Sequence, residues 1–358
     1  MVGPPYLRAA VSTERLLLSF VFASIPVWLV GLWNLGYQAL QVLATTEGAA
    51  LSGWQGTFYD AMFAAPDSTA SVSVIACFVL GLLYHLPLLV VALVVTALWE
   101  LLFARVRGRG IDPAWLMTAW LFVLLLPPAV SPLLAAVAVS FGTVLGAHIF
   151  GGTGRYLLSP ALLGVLFLHF SYPGFVQAAL PVAGFSGSTT WATAAADGVG
   201  STAGFAAVFL GRELGAMATG SALACLAGAI YLAYVGAASW RTLAGALGGL
   251  VLGATLVNLF AGDDPAWGIP WYWHLALGNF SFAVAFLATD PSVGPLTRPA
   301  RWGYGALIGL LTIVIRVVDP AHPEGTLYAI VLAGLTVPLL DYLVVRRYRM
   351  RAQPEEVK

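Results

Sequence analysis

Three carboxylates stand where hydrocarbon makes a charge expensive: Glu100, Asp290 and Asp341. An unpaired charge inside an apolar run costs about 3 kcal/mol or more, so such groups are paired or functional, and carboxylates in these places take up cations or protons. Asp290 lies between Thr289 and Pro291 at the end of an apolar run, which makes it part of a helix terminus. Glu100 closes another run beside Arg105, and anchoring that helix end competes with ion uptake. Asp341 precedes Arg346, so pairing with a basic tail competes there. A second set is Gly151, Gly152 and Gly154 in the stretch GGTGRYLLSPAL. Glycines allow backbone to approach a flat cofactor closely, and they equally serve helix packing in membranes. His85, His148, His169 and His274 lie in apolar runs, but none pair along one helix in a way that suggests haem. Cys77 and Cys225 lack metal-ligand spacing, so neither a zinc site nor a disulfide framework is indicated. No Gly-x-Gly-x-x-Gly fingerprint and no cysteine cluster occur, so the sequence carries no signature of a nicotinamide-binding fold or of an iron–sulfur centre.

The elements that carry these residues follow from composition. Of 358 residues 9% are charged and 60% apolar, against roughly 25% charged in soluble domains. Most of the surface must therefore face lipid, and the net charge of zero carries no message about nucleic acid. A spanning helix needs about 20 apolar residues. The charge-free intervals predict spans at 16–40, 72–103, 114–126, 133–149, 160–172, 217–237, 243–261, 272–288, 302–317 and 326–345. Pro127-Pro128 and Ser131-Pro132 divide the third from the fourth. The stretch 173–204 is too rich in Gly, Ser and Thr to span, and 204–216 reads as a short surface helix. The first run lacks a small-residue cleavage site and reads as a retained anchor. The many Trp and Tyr read as interface belts, Trp33, Trp191 and Trp302 among them.

The positive-inside rule tests this count. With a cytoplasmic N-terminus, all 16 Lys and Arg except Arg212 and Arg316 fall on one side, and both termini are cytoplasmic. Asp67, Asp197, Asp263, Asp264, Asp319 and Glu324 fall on the other. The predicted class is an all-α polytopic membrane protein of about ten transmembrane helices, in two inverted five-helix repeats with broken helices. The first repeat covers 1–172, a periplasmic loop and surface helix 173–216, the second repeat 217–345, and a cytoplasmic tail 346–358. In the first half LLAAVAVSFGTVLGAHIF enters the break GGTGRYLLSP; in the second WYWHLALGNFSFAVAFLA enters TDPSVGPLTRPAR. Irregular backbone at such depth would line an internal cavity, since lipid cannot satisfy loose amides; ordinary connecting loops are the alternative, and the matched positions of the two breaks favour the cavity.

Several motifs then carry a resemblance. GLWNLGYQA (31–39), ALWELLFARVRGRGI (97–111), LLPPAVSP, FGGTGRYLLSPAL, FSYP, GFSGSTT (184–190), ASWRTLAGALGG (238–249), FLATDPSVGP (286–295) and the block 302–341 occur in this order. The chain resembles the NqrB component of the sodium-translocating NADH:quinone oxidoreductase and its relative, the RnfD component of the Rnf complex, and the wording of GFSG and ASWR leans toward the former. The resemblance implies FMN held through a phosphoester on Thr189, in Ser186-Gly187-Ser188-Thr189, on the periplasmic side, with Thr190 as reserve acceptor. It also implies riboflavin, with riboflavin or quinone near Gly151, Gly152 and Gly154, and cation handling at Asp290 and Asp341; for Glu100 sodium uptake stands as the lesser alternative to anchoring its helix end. Ubiquinone or another quinone would be the substrate. Expected partners are a periplasmic FMN-binding subunit and iron–sulfur and NADH-oxidising subunits, all in or on the bacterial inner membrane. Five positions depart from the family pattern. Ala183 replaces the Asp that a flavin transferase reads, Ser188 the motif alanine, and Tyr156 and Ser159 common asparagines. His148 stands where glutamate is frequent.

The function expected is a membrane subunit of a respiratory electron-transfer complex, inactive alone, passing electrons through bound flavin toward quinone with coupled movement of sodium or protons. An Rnf-type ferredoxin:NAD+ complex component is the alternative of the same class. A non-redox ion or solute transporter and a flavin-less scaffold subunit are the alternatives of other classes.

Overall fold

The computed structural model describes residues 12–46, 49–63, 73–176, 180–183, 190–202, 204–212, 215–262, 264–320 and 324–352. In chain order the helices begin with α1 (Thr13–Thr45), α2 (Gly53–Met62), α3 (Val74–Arg107), α4 (Ala114–Leu125) and α5 (Pro132–Phe141). They continue with α6 (Pro160–Ser171), α7 (Pro173–Val176), α8 (Thr190–Asp197), α9 (Phe205–Leu210) and α10 (Ala222–Val235). The last are α11 (Trp240–Asn258), α12 (Trp271–Ala276), α13 (Phe280–Phe282), α14 (Arg298–Val318) and α15 (Gly325–Ala352). Among the described residues a single short strand pairing joins β1 (Ala50–Leu51) to β2 (Val182–Ala183), antiparallel. The protein is an all-α multi-pass membrane protein.

Among the described residues five helices, α1, α3, α11, α14 and α15, are long and apolar enough to cross a membrane. The other five predicted spans are shorter or broken. At 12 residues, α4 rises only about 18 Å. It stops because Leu126 takes an extended conformation, the one favoured before a proline such as Pro127. Ser131 then caps α5 by accepting from Leu134 N (3.3 Å), with Pro132 at the first helical position. The span expected at 272–288 is no continuous helix. It runs as α12, breaks at Leu277–Asn279 where Gly278 has φ +70°, and resumes as α13. Both α5 and α13 then loosen into a π-helical stretch, Gly142–His148 and Ala283–Leu287, just before an irregular segment. Such widened turns are frequent at functional sites.

Small residues let the long helices touch backbone to backbone. A methyl on Gly249 of α11 would lie 2.1 Å from the carbonyl oxygen of Ala306 on α14, and one on Gly309 would lie 2.2 Å from that of Ala246. Gly36 of α1 and Gly81 of α3 press equally closely on each other's helix. Lipid gives apolar helices no hydrophobic reason to associate, so this close packing is what joins them.

The connections sort by charge. At one end Arg107 and Arg109 reach the segment after α5, and Asp341 of α15 reaches the segment before α14. At the other, Ser52 N and Oγ both donate to the Pro181 carbonyl (3.0 Å each), and Tyr84 Oη donates to the Ser52 carbonyl (2.5 Å). Glu324 meets His169 at 2.5 Å there, joining α6 to the start of α15. Apart from the one holding Arg212, which lies over Tyr37 near the end of α1, the arginine-bearing connections named above gather at the end away from Asp319 and Glu324.

Candidate functional site

At the arginine-bearing end the segment between Leu287 and α14 leaves helical geometry and buries a carboxylate. Asp290 is 1% exposed. Its Oδ1 accepts from Ser292 N (2.9 Å), and its carbonyl accepts from Val293 N (3.1 Å) and Gly294 N (3.0 Å). Burial pushes its carboxyl up to about 6, against the lowering pull of the Ser292 hydrogen bonds. A cavity of about 160 Å³ opens beside it, lined among others by Ser239, Thr242, Thr289 and Arg301. The Ser239 hydroxyl is shielded there without a hydrogen-bond partner. Arg301 Nε donates to the Pro295 carbonyl (3.0 Å). A carboxylate among hydroxyls and carbonyls is a hard-oxygen set suited to an alkali cation, and the raised proton affinity equally lets Asp290 hold a proton.

The break after α5 builds a second cluster. Glu100 of α3 is 4% exposed. Its Oε1 accepts from Asp112 N (2.9 Å) and lies 3.8 Å from Arg109 Nη2, and its Oε2 lies 3.7 Å from His148 Nε2. Arg109 and His148 hold Glu100 in place of the expected neighbour Arg105, because the chain turns back at Gly108. Arg109 Nη1 donates to the Gly151 carbonyl (2.9 Å) and Arg107 Nη2 to the His148 carbonyl. The His148 ring stacks on Phe103 with centroids 4.3 Å apart.

Asp341 has partners other than the basic tail. Its carboxylate accepts from Leu296 N (2.9 Å), Thr297 N (3.0 Å) and Thr297 Oγ1 (2.6 Å), which fixes the entry to α14. An anion at a helix N-terminus also meets the positive end of the dipole.

The other end holds a residue whose role the sequence reading missed. Arg316 of α14 is fully buried; Nη1 donates to the His274 carbonyl and Nη2 to the Leu277 carbonyl, 3.0 Å each. These are orphan carbonyls at the end of α12, so the guanidinium satisfies the helix break from inside. It also lies 4.9 Å from the Trp191 ring centroid. Trp191, expected in an interface belt, is fully buried and donates from Nε1 to the Pro320 carbonyl (2.9 Å). The signal was present: a lone arginine in an apolar run is a functional candidate. Ser186, Gly187, Ser188 and Thr189 lie outside the described residues, but both flanks are anchored, at β2 by β1 and at α8 by Trp191.

The family described as NQR2, RnfD, RnfE matches residues 1–349. The chain belongs to that family. It is 37% identical over 351 residues to the NqrB component of the Na(+)-translocating NADH-quinone reductase of Azotobacter vinelandii, covering 95% of this chain and 86% of the relative. The same component from Klebsiella pneumoniae strain 342 is 36% identical over 369 residues, covering 96% and 87%. That of Neisseria meningitidis serogroup B is 36% identical over 355 residues, covering 95% and 86%.

For this NQR2/RnfD-type chain the flat-cofactor reading of the three glycines meets an obstacle. A methyl on Gly152 would lie 2.4 Å from Arg109 Nη1, and one on Gly151 would lie 3.1 Å from Arg155 Cδ. Arginine side chains already occupy those approaches. Of the three, Gly154 alone faces open space, with nothing within 4 Å. Beside Gly151 and Gly152 the space is filled by the ends of flexible arginine side chains, so a ring system would have to displace Arg155 or Arg109 to lie there.

Proposed function

We propose that the protein is the membrane subunit of a respiratory electron-transfer complex, passing electrons by way of FMN esterified to Thr189 toward ubiquinone or another quinone, with coupled movement of sodium or protons. The observation that carries the ion-coupling part is Asp290, a carboxylate buried at a broken helix beside a polar cavity. A carboxylate is kept in such a place only where it does something that offsets its desolvation. Family membership over residues 1–349 supports the redox part.

The flavin, when bound, supplies the electron-carrying chemistry. The chain's own residues position and couple. β1 holds Val182–Ala183, and Arg316 with Pro320 holds Trp191, so the segment bearing Thr189 is tethered on both sides. Ser186, Gly187 and Ser188 give the loop small side chains, and Thr190, first residue of α8, remains the reserve acceptor. Asp290 and Glu100 lie in separate polar clusters toward the opposite end, where either can take up a cation or proton. Asp341 keeps the loop beside Asp290 in register through Leu296 and Thr297.

In this reading the arginine-bearing end is cytoplasmic, both termini lie there, and the loop 184–190 faces the periplasm of a bacterial inner membrane. Residues 1–172 and 217–345 form two inverted halves around the linking segment 173–216, followed by the tail 346–358. Partner subunits carry NADH oxidation, iron–sulfur centres and a second FMN. The test is the purified complex: flavin absorbance that bleaches with NADH and recovers with quinone is expected, and a colourless complex with solute-dependent stabilisation would instead indicate a transporter.

A further inference from the structure

Both irregular segments lie along one face of α15. Gly334 of that helix packs on the first, where a methyl would lie 3.0 Å from Leu158 Cδ2. Asp341, two turns further along the same face, holds the second at Leu296 and Thr297. The two contacts are about 10 Å apart along the helix axis. Tyr156 of the first segment thereby reaches the Asp290 loop of the second. Its hydroxyl is a hydrogen-bond partner of the Ser292 side chain, and the Asp290 carboxylate is close enough to act on it electrostatically. Tyr156 is 6% exposed and Asp290 1%, so the polar groups of both must be satisfied from within the protein.

The chemistry of the three groups fixes the direction of the hydrogen bonds. A carboxylate only accepts, and Ser292 meets Asp290 with its side chain as well as its backbone N–H. A serine hydroxyl carries one proton, so with that proton on Asp290 its oxygen is left to accept. Burial, and after it the Asp290 charge, push the Tyr156 phenol well above its usual range, so it keeps its proton and donates. The chain runs from the Tyr156 hydroxyl to the Ser292 hydroxyl to the Asp290 carboxylate. We propose that Tyr156 is a positioning residue for Asp290, acting from the opposite break through Ser292 to fix the carboxylate for cation uptake. The assignment rests on the ion-coupling reading of Asp290 given above and adds the residue that sets the affinity of that site.

Three other charged or titratable groups stand near this chain. Asp112 acts on Tyr156 from the Glu100 cavity, whose wall Tyr156 shares, and its Oδ1 accepts from Ala114 N (3.1 Å). Arg301 lines the Asp290 cavity with its Nε turned to the Pro295 carbonyl. Tyr304 lies near Asp290 as well, its hydroxyl shielded and without a hydrogen-bond partner. A phenyl ring at position 156 keeps the packing and removes only the donor at the head of the chain. Hydrogen bonds in series polarise one another, and losing one such bond is worth roughly two- to tenfold in affinity.

Sodium titration of NADH-driven quinone reduction by the assembled complex tests this. In Tyr156→Phe the sodium concentration for half-maximal turnover should rise roughly two- to tenfold, with kcat at saturating sodium retained. Ser292→Ala should behave alike, and the double variant should lose no more than Ser292→Ala alone, because both act in one chain. A wild-type sodium response in either single variant overturns the proposal, as do additive losses or a fall in kcat alone. Asp290→Asn separates the two claims. If its sodium response also matches the wild type, or if the wild type ignores sodium, the ion-coupling reading fails and this inference with it. A changed response in Asp290→Asn beside an unchanged one in Tyr156→Phe sinks the inference alone. Should Tyr156→Phe fail to assemble, Ser292→Ala decides.

Discussion

Replacing Gly152 by alanine separates two uses of a glycine, approach to a cofactor and room for an arginine. Gly152 has φ +94°, which costs an L-residue about 1–3 kcal/mol. The added methyl would sit 2.4 Å from Arg109 Nη1, so the guanidinium must move. Its bond to the Gly151 carbonyl, 2.9 Å, is charge-assisted, and losing it costs about 1.5–3 kcal/mol. Together Gly152→Ala destabilises by roughly 2.5–6 kcal/mol. Thermal unfolding of the detergent-solubilised protein, followed by tryptophan fluorescence, should show a midpoint lower by on the order of 5 °C or more. In an Arg109→Ala background the same substitution should cost only the backbone strain, about 1–3 kcal/mol, because the clash is gone. An unchanged midpoint in Gly152→Ala refutes the reasoning, and so does an equal loss in both backgrounds. If stability is kept while flavin or quinone binding is lost, the glycine serves a cofactor after all.

Three further outcomes are expected. Gly249→Ala should prevent α11 from packing on α14 and lower the yield of folded protein, whereas Gly248→Ala, with nothing within 4 Å, should be neutral; equal behaviour of the two in a detergent stability assay would contradict the packing. Asp341→Ala should cost about 1–2 kcal/mol by uncapping α14, and Asp341→Asn less, as read from thermal midpoints; an Asp341→Ala midpoint equal to that of the wild type would show that the cap carries no weight. For Asp290 the folded value of about 6 lies above the roughly 3.9 of an unfolded aspartate. Folding therefore takes up a proton between those values, and the cost of the charged form is absent near pH 4 and complete above about pH 6. In sodium-free buffer Asp290→Asn should stabilise the protein by up to about 3 kcal/mol at about pH 8 and by nothing at about pH 4; a pH-independent effect would mean that burial does not set the carboxyl's affinity.

Much of the architecture was legible because a membrane forces charges out of the spans. The gaps between charged residues marked the long helices and the shorter apolar ones between them, and Pro127-Pro128 and Ser131-Pro132 ended and restarted helices where backbone chemistry requires. Asp290 was legible for the same reason, as a charge at the end of an apolar run. The break at Leu277–Asn279 was not, because Gly278 and Asn279 sit within a run whose average hydrophobicity masks them. What holds that break is Arg316, 39 residues from Leu277, and such distant pairing leaves no local pattern. Asp341 and Glu100 failed similarly: Arg346 and Arg105 were near in sequence, but Thr297 and Arg109 are the groups the folded chain delivers. At Gly151 and Gly152 the sequence left cofactor approach and close packing open, and what it could not show is that arginine side chains stand beside both.

The central claim is that this chain carries electrons through a flavin fixed on the segment between Ala183 and Thr190. The most direct measurement is the intact mass of the chain purified from cells that express its whole complex. The expected value is the mass of the polypeptide plus one FMN less one water, an increment lost in Thr189→Ala and retained in Thr190→Ala. An unmodified mass in the wild-type chain, from a complex that is otherwise assembled and active, would contradict it.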